Sequence, residues 1–355
     1  MACMRNHLEV IRSRAPLRLG FAGGGTDVAP YSERHGGYVL NSTIDMYAYC
    51  TIVPRTDDRI ILRMPDMQLN EDLVSAQQLE PAGPFRLVKG VYNRVMRNFP
   101  MAKSPAFGIT TYSDAPIGSG LGASSTMVVA ILSAFAEWLS LPLGEYDLAH
   151  LAYEIERLDL GLEGGKQDHY AAAFGGTNFI EFYAEDRVVV NPLRVKEWII
   201  DELESKTVLY YTGVSRESAQ IIKQQMLRGE AEDAQYLQVL DGIKHGAVQM
   251  KQALLKGNLD DFSRLLGASW REKKNMATGI SNSEIDRVYD LAMNAGAISG
   301  KVSGAGGGGF MMFMVDPWHR RDVERVLREQ SGMVMSPHFV SKGAQSWKTH
   351  AFIDP

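Results

Sequence analysis

Nineteen of the 34 glycines in this 355-residue chain fall in four clusters. They are Gly23, Gly24, Gly25, Gly36 and Gly37; Gly118, Gly120 and Gly122; Gly161, Gly164, Gly165, Gly175 and Gly176; and Gly300, Gly304, Gly306, Gly307, Gly308 and Gly309. Scattered glycine marks turns. Glycine in runs marks places where the backbone bends tightly or comes close to something else. A fold for this chain has to give several such loops something to approach.

Charge narrows what that partner is. Lys and Arg total 37 against 42 Asp and Glu, a formal net charge of −5. That balance argues against nucleic acid, which calls for a basic excess. An apolar fraction of 45% with 22% charged residues is that of a globular protein. No run of 18 apolar residues is present, so no membrane span is expected. The first 18 residues carry no apolar run and no small-residue cleavage pattern. Cys3 and Cys50 are the only cysteines, too few for a zinc cage or a disulfide framework. The expectation is a reduced, cytoplasmic protein.

Short segments rich in Ile, Val, Leu and Tyr read as strands at 8–14, 17–22, 38–42, 46–54, 59–64 and 106–112. Helical spacing marks 84–99, 124–139 and 145–159, the last with Leu148, Leu151, Ala152, Ile155 and Leu158 on its apolar face. A hairpin is expected over 177–191 and a strand over 206–212. Helices follow at 216–228, 232–256, 258–272 and 282–295, then strands at 297–302 and 309–315, a helix at 317–330 and a terminal strand near 335–342. Strands in blocks give an α+β class. The composition shift near 187–205 divides the chain into 1–190, strand-rich, and 191–355, helix plus sheet.

Residues 113–126, SDAPIGSGLGASST, lie between an expected strand and a buried helix. Gly118, Gly120 and Gly122 let successive amides turn inward, and Ser124 and Ser125 sit at the helix start, where free N–H groups and the dipole favour an anion. The dinucleotide fingerprint fails because position 123 is Ala. The Walker loop fails because Gly165-Lys166 and Gly300-Lys301 are followed by Gln167 and Val302.

The segment Pro116-Ile117-Gly118-Ser119-Gly120-Leu121-Gly122-Ala123-Ser124 resembles the second motif, P-x-x-x-G-L-G-S-S, of the GHMP small-molecule kinases, with Ala123 in place of the first serine. Residues 15–27, APLRLGFAGGGTD, resemble the first motif as galactokinases carry it, APGRVNLIGEHTD. Lys301-Val302-Ser303-Gly304-Ala305-Gly306-Gly307-Gly308-Gly309 resembles the third, K-x-S-G-A-G-x-G-G. Three motifs in order cover positions 15 to 309. The resemblance implies a two-domain kinase fold with the active site in the cleft between the domains, and ATP and Mg²⁺ as cofactors.

Role by role, the resemblance implies that Asp168 is the catalytic aspartate and that Arg18 stabilises charge at the acceptor oxygen. Glu156, with Ser124, would hold Mg²⁺. Pro116 and Gly118, Ser119, Gly120, Leu121, Gly122, Ala123, Ser124 and Ser125 would cradle the ATP phosphates, and Lys301, Ser303, Gly304, Ala305, Gly306 and Gly307 would lie beside the nucleotide. Spacing alone leaves Glu154 and Glu156 equivalent; the resemblance favours Glu156. Gly24, Gly25, Thr26 and Asp27 would contact the sugar, Asp27 through its hydroxyls.

Galactokinases have Glu and His where this chain has Gly24 and Gly25, and the lost side chains open room for a longer sugar. Within the family, RAPLRLGFAGGGTDVAPY and GGKQDHYAAAFGG most resemble the D-glycero-D-manno-heptose 7-phosphate kinases of bacterial surface-polysaccharide pathways, which phosphorylate the anomeric C1 hydroxyl. The implied partner is a small-molecule sugar phosphate, with the protein a monomer or homodimer. A 7-phosphate needs a cation, for which Lys166, Arg12, Arg14 and Arg55 are candidates. A fucokinase- or galactokinase-like sugar kinase is the alternative, and a non-catalytic regulator that binds sugar and nucleotide is a further one.

Overall fold

The computed structural model describes residues 7–213 and 218–352. Two long strands, β1 (His7–Ala22) and β2 (Gly37–Pro54), flank the short helix α1 (Tyr31–His35). Then come β3 (Arg59–Met64), β4 (Leu69–Val74), α2 (Arg86–Asn98), β5 (Phe107–Ser113), α3 (Ala123–Leu139), α4 (Glu145–Tyr153), α5 (Gln167–Phe174), β6 (Thr177–Phe182) and β7 (Val188–Pro192). The second half holds α6 (Glu197–Lys206), β8 (Thr207–Tyr211), α7 (Ser218–Glu230), α8 (Ala234–Lys256), α9 (Leu259–Lys273) and α10 (Ser283–Asn294). It ends with β9 (Ala297–Val302), β10 (Phe310–Val315), α11 (Arg320–Arg328), β11 (Met333–Met335) and β12 (Gln345–Phe352).

The larger sheet runs β12-β1-β2-β5-β3-β4, and β6, paired with β7, adds to the first half of β2. The smaller runs β11-β8-β10-β9. Among the described residues, only β3 and β5 pair in parallel. This is a two-domain α+β fold, but the chain crosses back: β12 pairs with β1 from His7↔Phe352 to Arg14↔Gln345. The last strand thus belongs to the sheet of the first half, although a division at 190/191 assigns it to the second.

Where the sequence suggests two strands, 8–14 and 17–22, the chain makes one, with a register shift between Pro16 and Arg18. Proline has no N–H for the ladder, and a bulge bends the strand and re-aims its side chains. Before the shift, Ile11 and Ala15 join a core with α2 and α3. After it, Leu17, Leu19 and Phe21 join a second core with Met250 of α8, Phe262 and Leu266 of α9 and Met312 of β10. The second core welds the two halves and leaves Arg18 facing the seam between them.

Helix α3 is apolar nearly all round and buried from Ser125 to Phe135, as its sequence requires. The helix expected at 145–159 is α-helical only to Tyr153; Glu154–Asp159 form a π-helical turn. The wider turn changes the angular spacing, so Leu158 leaves the apolar face and is 62% exposed, while Glu156 turns inward. The terminal strand expected near 335–342 is replaced by short β11 and by β12, which is longer and starts later.

Candidate active site

Arg18 joins the three glycine-bearing segments. Its Nε and Nη2 both reach Asp168 Oδ1, at 2.7 and 2.5 Å, and its Nη1 donates to the carbonyl of Gly120 at 2.7 Å and to Ser303 Oγ at 3.5 Å. Its own N–H donates to Leu121 O at 3.2 Å. The guanidinium is buried, so the forked pair is poorly screened and geometrically fixed. Asp168 sits in the first turn of α5, which fixes its carboxyl at the cavity wall.

Two glycine loops meet backbone to backbone. Ser303 Oγ donates to Gly120 O at 2.8 Å, and the N–H of Phe310 donates to Ser119 O at 2.8 Å. A Cβ on Gly120 would lie 2.4 Å from Ser303 O, and Gly120 has a φ of +84°. Gly122, with φ +79°, caps α3; a side chain there would strike the Asp168 carboxyl at 2.9 Å. Only glycine satisfies both conditions at these two positions.

These loops wall a cavity of about 590 Å³, lined among others by Arg18, Asp27, Gly122, Ser124, Glu156 and Asp168. Glu156 is 1% exposed. Ser124 Oγ donates to its Oε1 at 2.6 Å, and its Oε2 meets His169 Nε2 at 2.7 Å and Arg157 Nη2 at 3.4 Å. Burial alone would raise its pKa, but Arg157, His169 and Ser124 outweigh burial and hold the carboxyl well below the usual range, so it stays ionised. One ionised carboxylate and one hydroxyl converging at a cavity wall suit Mg²⁺, which takes hard oxygens and few protein ligands. Asp27, 1% exposed, accepts from the N–H groups of Gly25 at 3.0 Å and Gln167 at 3.1 Å and from Gln167 Nε2 at 3.2 Å.

Residues 86–176 match the GHMP kinases N terminal domain and residues 250–331 the GHMP kinases C terminal domain. A D-glycero-alpha-D-manno-heptose 7-phosphate kinase from Campylobacter jejuni is 48% identical over 96% of this chain and 100% of its own length. The chain belongs to the GHMP kinase family. Among solved structures, a D-glycero-D-manno-heptose 1-phosphate kinase from Bacteroides thetaiotaomicron superposes with a TM-score of 0.80 at 49% identity, covering 96% of this chain and 100% of that one. An L-fucokinase/L-fucose-1-P guanylyltransferase from Bacteroides fragilis is 27% identical over 91% of this chain but only 36% of its own. Among the described residues, no helix is long and apolar enough to cross a membrane.

In this GHMP kinase most of the expected residues gather at one cavity. Gly24, Gly25, Gly118, Ala123, Ser125, Gly304 and Ala305 line it too. Others frame it from behind. Ser119, Leu121 and Ser303 are buried, and Thr26 Oγ1 ties the first glycine loop to β2 through Gly23 O at 2.7 Å and Tyr38 O at 3.1 Å. Pro116 O accepts the Ser119 N–H at 3.1 Å. Lys301 Nζ donates to Gly20 O and Phe21 O, both at 3.0 Å; burial and the nearby Lys273 and Arg18 lower its pKa. Gly306 and Gly307 turn against Ile280, whose carbonyl accepts the Gly307 N–H at 2.8 Å.

Lys166 departs from its expected place. It does not line the cavity; its Nζ pairs with Asp186 at 2.5 Å and lies 4.0 Å from Glu33. Arg12 is exposed, Arg14 donates to Gln345 at 3.0 Å and Arg55 pairs with Asp57, all off the cavity. Glu154 pairs with Arg94 at 2.6 Å and is likewise absent from the lining. Sequence reasoning passed over His169, Arg157, Gln167 and Lys273. The first three flank flagged residues, so adjacency was a usable signal. Lys273 lies in an ordinary amphipathic helix and gave none.

Proposed function

We propose that the protein transfers the γ-phosphoryl group of ATP to the anomeric C1 hydroxyl of D-glycero-D-manno-heptose 7-phosphate, giving the 1,7-bisphosphate for nucleotide-activated heptose synthesis. The observation that carries a kinase reading is the junction at Arg18, where Asp168, Gly120 and Ser303 come together. The near-full-length identity to a heptose 7-phosphate kinase supports the choice of sugar.

Phosphoryl transfer asks the protein mainly for position and charge. Asp168 Oδ1 is held by Arg18, and among the described residues no hydrogen bond reaches Oδ2. That free oxygen orients the acceptor hydroxyl and takes its proton. In a loose transition state the proton leaves late, so orientation of the hydroxyl counts for more than the strength of the base. Arg18 then offsets negative charge building on the acceptor and transferring oxygens. The first turn of α3 and the Gly118–Gly122 backbone receive the phosphates. Ser124 and Glu156 would hold Mg²⁺, which neutralises charge on the phosphate oxygens. Gly24 and Gly25 leave room for the sugar's far end, and Asp27 would accept hydrogen bonds from its hydroxyls.

The test is an acceptor panel of heptose 7-phosphate, heptose 1-phosphate, mannose 6-phosphate, fucose and galactose with ATP and Mg²⁺, the product read by phosphorus NMR. A new anomeric phosphate on heptose 7-phosphate at the highest kcat/KM is expected. Preferred transfer to fucose or galactose, or a product unmodified at C1, overturns the reading. The heptose 1-phosphate arm settles where the acceptor's existing phosphate sits.

A further inference from the structure

Lys273 closes α9 inside the cavity and is 5% exposed. Its Nζ donates to the carbonyl of Gly304, and among the described residues it forms no ion pair. An ammonium carries three donors, so the carbonyl leaves donors unused. Apart from the solvent-exposed Arg86, the other cations near it are spoken for. Arg18 is neutralised by Asp168, and Lys301 gives its Nζ to two carbonyls and does not line the cavity. Arg157 is committed to Glu156, Ser125 and the carbonyls of Leu162 and Glu163, while Arg86 is exposed to water.

Burial and the Arg18 charge push the Lys273 pKa down to about 8, and Asp27 only partly offsets them. The Asp27 oxygens already accept three hydrogen bonds, from Gly25 and twice from Gln167. A buried ammonium so thinly partnered is costly unless an anion completes it. A second group points the same way. Gln225 of α7 is 3% exposed and lines the same cavity, yet among the described residues its amide makes no hydrogen bond. Both come from helices of the second half, across the seam from Asp168.

We propose that Lys273, with Gln225, receives the phosphate that the acceptor sugar already carries. The proposal rests on the sugar-phosphate reading above. It also explains how an acidic protein in which Lys166, Arg12, Arg14 and Arg55 all lie off the cavity selects a phosphorylated sugar.

The experiment compares the wild type, Lys273→Met, Lys273→Arg and Gln225→Glu on heptose 7-phosphate and on the unphosphorylated heptose. Lys273→Met should raise KM for heptose 7-phosphate about 30-fold or more, leaving KM for ATP and turnover of the plain heptose near wild type. Lys273→Arg should recover part of the loss. Gln225→Glu, which puts a negative charge in the same space without touching the Gly304 contact, should raise KM for the phosphorylated sugar alone. If Lys273→Met instead lowers kcat equally on both sugars, Lys273 acts on the transferring group and the proposal fails. If Lys273→Met misfolds or loses ATP, Gln225→Glu decides: equal effects on both sugars overturn the proposal. Calorimetry separates the premise. A wild type that ignores heptose 7-phosphate but binds heptose 1-phosphate or mannose 6-phosphate, and loses that binding in Lys273→Met, keeps the anion seat while the choice of sugar falls. A wild type that binds phosphorylated and plain sugars alike removes it.

Discussion

Asp168 and Arg18 hold each other, so removing charge from one tests both. Asp168→Asn keeps the shape and one acceptor for Arg18 but cannot take a proton. We expect kcat to fall on the order of 10²-fold or more with KM for ATP little changed; steady-state kinetics at saturating sugar checks it, and near-normal turnover would remove the assignment. Gly24 is a cleaner probe of the sugar end than its neighbours. Its φ is not in the left-handed region, and a Cβ would meet nothing nearer than Gln167 Nε2 at 3.7 Å, whereas on Gly25 it would strike Met276 at 2.4 Å. Gly24→Ala should therefore be mild, and Gly24→Glu should raise KM for the sugar phosphate by tens of fold with ATP unaffected, as like charges repel in a partly dry pocket. Equal harm to plain and phosphorylated sugars would redraw the pose. Lys273 adds a pH test. Arg18 of β1, Asp27 and Lys301 of β9 face it. With its pKa pushed down to about 8, the free enzyme loses the ammonium as pH rises through that value. KM for the phosphorylated sugar should then climb about tenfold per unit above it, while kcat stays flat because bound phosphate holds the proton. Lys273→Arg should flatten the climb; an unchanged climb would assign it to another group, Lys301 first.

At the scale of elements, the π-helical turn after α4 breaks a tie. An ideal helix leaves Glu154 and Glu156 on equivalent flanks of the apolar stripe. The wider turn buries Glu156 against Ser124 and His169 and leaves Glu154 with Arg94. Such turns recur at functional sites because they re-aim a side chain without ending the helix. Glu156→Gln should raise the Mg²⁺ concentration for half-maximal rate by about tenfold or more, with Glu154→Gln close to wild type; a Mg²⁺ titration of both variants checks it, and matching curves would refute the distinction. Most elements were legible from apolar spacing, including β3, α3, α8 and β9, and the four glycine clusters pointed to the loops that meet. What periodicity could not convey was a change of period within one helix. Nor could it reveal that the second loop packs as core, with Ser119 and Leu121 fully buried. The pairing of Lys166 with Asp186, and the approach of Lys273 to the cavity from another domain, depend on contacts that no local window contains.

On the scale of the whole molecule, β12 is the feature the sequence concealed most. Residues 345–352 read QSWKTHAF, a polar strand with little alternation, yet they cover the edge of β1 over eight residue pairs. Deleting 345–355 should lower stability by roughly 4–10 kcal/mol, from the lost ladder, and expose a long edge prone to pairing with other chains. Thermal melts and light scattering check this; a truncated protein that melts within a few degrees of the full chain and stays monodisperse would show that β1 needs no cover.

That same pairing has a consequence for the order of assembly. It joins residues 7–14 to residues 345–352, so its ladder closes a loop that takes in almost everything between them. Contacts so distant in sequence are slow to form, because the closure entropy is lost before the ladder gives anything back. The β1–β2 ladder, closed through the short α1 segment, forms readily, and the outer edge of β1 is the part of the large sheet expected to zip late in folding.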